Sequence, residues 1–176
     1  MPEAGKPRLA RETAFLLKFL GLLTLFFALV APKPLNEALV TPFTERVAAV
    51  SGAVCRLLGA PVETNGTQIT SPRFSVEIKN GCNGLETILI FAAGILAFPA
   101  PWRLRLYGLL FGLAAIQAIN TVRIVSLYFI GVHLPKLFDS SHNVIWQAVV
   151  LLFGIALFVL WAGRYAIPAL REEAPR

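Results

Sequence analysis

Apolar residues in this chain come in long runs, with the polar residues gathered in the gaps between them. A helix needs about 20 mostly apolar residues to cross a bilayer. Thr13 to Val30 and Asn143 to Ala162 meet that length. Gly84 to Phe98 is slightly short, carries Glu86 and ends at Pro99, and Leu104 to Ile119 is a further span. Thr121 to Leu134 is apolar but too short to cross alone. It extends the preceding helix, re-enters, or lies in the interface. The pattern changes over residues 31–80. Phe43 to Leu58 repeats Val47, Val50, Val54 and Leu58 at helical spacing, with Glu45, Arg46 and Arg56 between them. That predicts an amphipathic helix on the membrane surface. Val62–Thr64 and Thr67–Thr70 flank Asn65-Gly66, a hairpin signal, and Arg73 to Lys79 alternates as a third strand. The predicted fold is an all-α integral membrane protein, a single membrane domain over 1–176. It has about four transmembrane helices, at 13–30, 84–98, 104–119 and 143–162. A small extracytoplasmic helix-plus-hairpin insert fills 31–80, and an outer-edge segment fills 120–142. The insert is either a plain linker or a cap over a site at Cys82.

Composition agrees with the pattern. Of 176 residues, 56% are hydrophobic and 15% charged, and the mean hydropathy is +0.68. Soluble domains carry about 25% charged residues, and disordered tails or coiled coils more. The net charge of +6 would suit a nucleic-acid partner in a soluble protein. Here the basic residues mark orientation instead, and no nucleic acid is expected. Lys6, Arg8, Arg11 and Lys18 lie around the start of the first span, Arg103 and Arg105 after the second, and Arg164, Arg171 and Arg176 after the last. An even number of spans puts all three groups on one face, which the positive-inside rule makes cytoplasmic. A fifth span at 121–134 would break that agreement. Trp146 and Trp161 then fall near the two ends of the last span, with Trp102 and Tyr107 near the inner face, as an aromatic belt would place them. The first span reads as an uncleaved anchor, because Leu29 stands where a cleavage site favours a small residue.

This topology uses no catalytic assumption, yet it brings Cys82, Arg123 and His142 to one depth at the outer edge. Cys82 opens a helix, where free N–H groups and the dipole favour a thiolate. His142 can take the thiol proton and return it to a leaving amine. Arg123 is permanently charged and suits an oxyanion, and it is costly at the hydrocarbon edge unless paired. Gly81 and Gly84 let the backbone turn sharply beside Cys82. Taken singly, each residue has a plainer role. The cysteine can be packing, the arginine a lipid-phosphate anchor, and the histidine a helix cap with Ser140, Ser141 and Asn143. Their coincidence favours a site. Glu86, four residues after Cys82, shares its helix face one turn deeper, where it pairs with Arg123 or stays protonated, and a structural role is favoured. Asn120, one turn before Arg123, orients it or binds substrate. Gln117 and Gln147 read as interhelical hydrogen-bond partners. His133 is the second choice of base, and Cys55 reads as packing. No metal or other cofactor is expected.

The run Asn80-Gly81-Cys82-Asn83-Gly84-Leu85-Glu86, then Asn120-Thr121-Val122-Arg123-Ile124, then His142 before a final span, resembles the exosortase/archaeosortase family. These are membrane-embedded cysteine transpeptidases. The resemblance runs from Lys79 to Trp161, and the modest size is similar to the short exosortase H type. It implies Cys82 as nucleophile, Arg123 as the essential cation and His142 as base. Asn120, Gly81, Gly84, Glu86 and Asn83 are read as substrate-binding or supporting residues. The expected location is a bacterial cytoplasmic membrane, where the charge pattern puts both termini inside and the site facing outward. The implied partners are secreted proteins bearing a C-terminal sorting tail, made of a motif, a membrane helix and a basic cluster. The residues leave two other readings open. A periplasm-facing thiol–disulfide protein would pair Cys55 with Cys82, though no CxxC is present. A non-enzymatic transporter or assembly subunit would tolerate Cys82→Ala. The sequence does not define an oligomeric state.

Overall fold

The computed structural model describes residues 8–172. Lys6 and Arg176 lie outside the described residues, as do the side chains of Arg8, Ser140, Asn143 and Arg171. Helix α1 (Arg8–Val30) stops at Ala31-Pro32. Lys33–Leu35 and a π-helical turn, Asn36–Val40, then lead directly into α2 (Thr41–Leu57). Three short strands follow: β1 (Glu63–Asn65), β2 (Gln68–Thr70) and β3 (Ser75–Glu77). The rest is helical: α3 (Leu85–Ala97), α4 (Trp102–His133) and α5 (Trp146–Trp161). Short helical turns over Pro135–Leu137, Phe138–Ser140 and Ser141–Ile145 feed α5. Its C-terminal end continues through Ala162–Ala166 into Ile167–Glu172. Ala10–Val30, Trp102–His133 and Trp146–Leu170 are long and apolar enough to cross a membrane, and Leu85–Ala97 is a shorter apolar helix. The chain is an all-α membrane protein with a small outer sheet.

Residues 121–134 extend α4. Nothing in that stretch breaks a helix until Leu134, whose φ of −137° precedes Pro135. At 32 residues, α4 is about 48 Å long, well beyond a hydrocarbon core of about 30 Å. Helix α3, with 13 residues, covers only about 20 Å. Extended backbone at Phe98 and Pro101 makes up part of the difference. That link leaves no N–H unpaired. The amide of Phe98 donates to the Gly94 carbonyl and that of Ala100 to the Phe98 carbonyl, while Pro99 and Pro101 have none. Irregular backbone next to lipid requires this kind of satisfaction.

Two hydrophobic clusters flank the region of Cys82. The inner one joins Ile88, Phe91 and Ile95 of α3 with Ile116 of α4 and Trp161. Glycines set its spacing: Phe91 sits where a side chain at Gly112 would be, and Thr87 does the same at Gly154. Trp161 is a core residue rather than a belt residue, because Gly108 admits its ring and its indole N–H donates to the Leu104 carbonyl at 3.1 Å. Trp102 and Tyr107 are exposed at the start of α4.

The outer cluster packs the sheet and α2 onto Ile124, Val125 and Tyr128 of α4. The strands pair antiparallel in the order β1-β2-β3, with Ile69 opposite Val76 on the inward face. Asn65 pairs with Gln68, so the hairpin loop is Gly66-Thr67, one residue later than Asn65-Gly66. Gly66 takes the left-handed position, at φ +56°. Helix α2 buries Thr44, Val47, Ala48, Ser51, Gly52 and Cys55. Only half of the Val47-Val50-Val54-Leu58 stripe lies on the packed face: Val47 is buried and Val54 packs against the core, whereas Val50 is 55% exposed and Leu58 61%. The small residues win because they allow close approach: the Thr64 side chain sits directly on Gly52.

Gly112→Ala is therefore expected to overpack the α3–α4 contact, at a cost of about 1–3 kcal/mol. A lowered thermal midpoint in detergent would show it. Gly163→Ala, which meets nothing within 4 Å, should leave the midpoint unchanged.

Candidate active site

Cys82 lies in the loop that delivers the chain to α3, three residues ahead of the helix. Gly81 and Gly84 hold φ of +87° and +80°, which folds the loop back on itself. The loop is anchored by buried Asn83. Its amide donates to the Thr44 hydroxyl at 2.8 Å, and its side-chain oxygen accepts the Leu85 N–H at 3.0 Å. Gln117 donates to the Asn83 carbonyl at 3.1 Å, and the Cys82 N–H donates to the Lys79 carbonyl at 2.9 Å. Asn80 donates to the Asn36 side chain at 3.2 Å, tying the loop to the turn before α2. A side chain at Gly84 would meet Asn120 at 3.1 Å, so this position needs glycine for space as well as for φ. Because Asn83 takes an N–H of the first turn, Cys82 does not sit on the helix terminus as its nearness in sequence implied.

Cys82, Arg123 and His142 meet. Cys82 Sγ lies 3.2 Å from His142 Nε2. Arg123 projects from the middle of α4, about 30 Å along the helix from Trp102, rather than from a helix end. The residue is 2% exposed. Nη1 donates to Gln147 Oε1 at 2.9 Å, while Nη2 points to the His142 carbonyl at 3.5 Å and to Cys82 Sγ at 3.8 Å. Among the described residues, these partners are all neutral. The three side chains, with Asn80, Gly81 and Gln147, line an open cavity of about 240 Å³.

Burial pushes the Cys82 thiol above its ordinary 9.0, with the positive Arg123 pulling it back down and Glu86 adding to the rise. His142 is lowered from 6.5, by burial first and by Arg123 second, against a smaller opposing effect of Asp139. The resting pair is thus a thiol and a neutral imidazole. The thiol can donate to Nε2 when Nδ1 carries the ring proton. A cation above the pair favours any negative charge that forms on sulfur or on a bound carbonyl oxygen.

The other candidates separate clearly. Asn120 is fully buried behind Gly84, and neither side-chain amide atom has a hydrogen-bond partner among the described residues. Glu86 is exposed, and its predicted shared face with Cys82 does not form because Cys82 is outside the helix. His133 is exposed and lines a separate hollow with Arg73 and Tyr128. Cys55 is buried in the outer core, and both cysteines are free thiols. Gln147 joins the site as the direct partner of Arg123. Its only signal in the chain is that it is a polar residue in an apolar helix.

The chain thus combines helices long and apolar enough to cross a membrane with a Cys–His pair beside a buried arginine. The family model for transmembrane exosortases matches residues 8–162. The chain belongs to the transmembrane exosortase family. No curated protein and no solved structure matches it.

The protonation states give a pH signature. Alkylation of Cys82 by iodoacetamide should rise with pH and reach half of its maximum above pH 9. Arg123→Met removes the charge that favours the thiolate and should move that midpoint higher still. A wild-type midpoint below pH 8, read by mass spectrometry of the Cys82 peptide, would contradict this assignment.

Proposed function

We propose that this chain cleaves secreted polypeptides beside a C-terminal membrane anchor, through a thioester on Cys82. The observation that carries the reading is the 3.2 Å contact of Cys82 Sγ with His142 Nε2, made beneath the Arg123 guanidinium. In the first step, His142 accepts the thiol proton as sulfur attacks the scissile carbonyl carbon. The carbonyl π electrons move to oxygen, and the oxyanion faces Arg123. Collapse then breaks the C–N bond, and His142 returns its proton to the leaving amine. In the second step, an acceptor amine or water attacks the thioester and His142 takes its proton. The thiolate leaves and is reprotonated. No cofactor is needed for either step.

The membrane placement supports a tethered substrate. A site bordered by spanning helices meets a peptide most readily where that peptide emerges from the same bilayer. A sorting tail with a motif, a membrane helix and a basic cluster presents its motif at that height. The charge distribution of the chain supports a cytoplasmic-membrane location with both termini inside and Cys82 outside. Gln147 holds the guanidinium from the α5 side. Asn83, Gly81 and Gly84 shape the loop that presents the thiol. Asn120 backs Gly84, and Glu86 lies at the exposed rim.

The test is co-expression with a tailed secreted protein, followed by the size of the product. Cys82→Ala, Arg123→Ala and His142→Ala should each reduce cleavage by about a thousandfold or more. Cys55→Ser should cleave normally. Cleavage that survives in Cys82→Ala would overturn the reading. The rate should also fall on the acid side only below pH 6.5, because His142 is held neutral down to lower pH than a free imidazole.

A further inference from the structure

A row of aromatic rings links the outer sheet to His142. Phe74, which leads into β3, packs on Gly131, where α4 offers no side chain to obstruct it. Phe74 stands edge-on to Phe138, with ring centroids 5.2 Å apart and planes at 65°. Phe138 in turn lies face to face with the His142 imidazole, with centroids 5.6 Å apart and planes at 15°. His142 Nδ1 is buried and, among the described residues, has no hydrogen-bond partner. Among the described residues, no carboxylate or amide hydrogen-bonds the ring from behind, as the third member of a nucleophile–base–orienter set would.

A stacked pair at this spacing is not informative by itself. His133 stacks on Phe129 four residues earlier, at 6.4 Å and 9°, and reaches no nucleophile. Two features set the His142 pair apart. Phe138 is held by Phe74, and the far nitrogen of the imidazole meets the Cys82 thiol. Rotation of the imidazole about its Cβ–Cγ bond turns the ring plane. A flat face held against the ring opposes that rotation.

Resting on the cleavage reading above, we propose that Phe138, braced by Phe74, is a positioning residue. It fixes the plane of His142 so that Nε2 stays aimed at Cys82, in place of a hydrogen-bonded orienter. His142 must accept a proton from sulfur and hand it to the leaving amine, and both transfers use the same nitrogen. The proposal also gives the outer sheet a task, which is to back the base.

The test uses the full-length protein in detergent with Phe138→Leu, Phe138→Tyr and Phe74→Leu. Phe138→Leu should lower kcat for tail cleavage about tenfold or more, with KM within about twofold, because a misaligned base costs rate rather than binding. Phe138→Tyr keeps a stacking face and should stay near wild type. Phe74→Leu should show a smaller loss in kcat. Proton NMR supplies a readout independent of substrate, since the chain has only 2 histidines. The ring protons of His142 should lose their upfield ring-current shift in Phe138→Leu and keep it in Phe138→Tyr. Those of His133, stacked on Phe129, should stay put in both and so report an intact fold. An unmoved His142 resonance in Phe138→Leu would overturn the proposal. So would equal kcat losses for leucine and tyrosine, or an effect on KM alone. If the wild type cleaves no tail, the cleavage reading fails, while the resonances still decide whether Phe138 stacks on the imidazole.

Discussion

The buried guanidinium of Arg123 is the constraint around which the rest of the molecule is arranged. Arg123 is 2% exposed, and a buried permanent charge is very costly unless its donors are used. The fold supplies Gln147 from α5, the backbone carbonyl of His142 and the Cys82 thiol, all neutral at rest. The positive charge is thus solvated by dipoles but not cancelled. A site built this way lowers the cost of negative charge appearing next to it. Thiolate formation and oxyanion formation are the two events in acyl transfer that need such help.

Three elements converge on that charge because each is held from the opposite side. The glycine-bent loop of Cys82 is pinned by Asn83 to α2 and by Gln117 to α4. His142 sits in the π-helical turn that leads into α5, a geometry often associated with functional sites. Below, close glycine contacts lock α3, α4 and α5 into one bundle. Above, α2 and the sheet pack on the outer turns of α4. The site therefore lies between two cores rather than inside one, which leaves it both ordered and open.

Much of this was legible in the sequence. The apolar runs identified the membrane class, and hydropathy with charge brought Cys82, Arg123 and His142 together before any contact was known. Asn-Gly and the alternation after Arg73 announced a three-stranded sheet, although Gly66 moved the loop by one residue. Other features were hidden for physical reasons. Residues 121–134 looked too short to cross, and of the three placements left open for them the chain takes helix extension, which a length rule applied to each apolar run separately does not single out. The α2 stripe was right at Val47 and Val54 and wrong at Val50 and Leu58, because large apolar residues dominate a periodicity count, while Ala48, Ser51 and Gly52 decide how closely the sheet can approach. Trp161 matched a belt position, yet Gly108 drew it into the core. Gln147 and Phe138 carry no motif. Their importance comes from what lies across from them, which only the folded chain displays.

The central claim is that the Cys82 thiol, drawn into the field of Arg123 and next to His142, carries the acyl group. The most direct measurement is to trap that intermediate. Full-length protein would be incubated with a tailed substrate, quenched in acid and digested for mass spectrometry. The account predicts that the N-terminal substrate fragment is found on the Cys82 peptide as an adduct released by neutral hydroxylamine, and that it is missing in Cys82→Ala. An adduct on Cys55, or cleavage that proceeds in Cys82→Ala with no adduct at all, would contradict it.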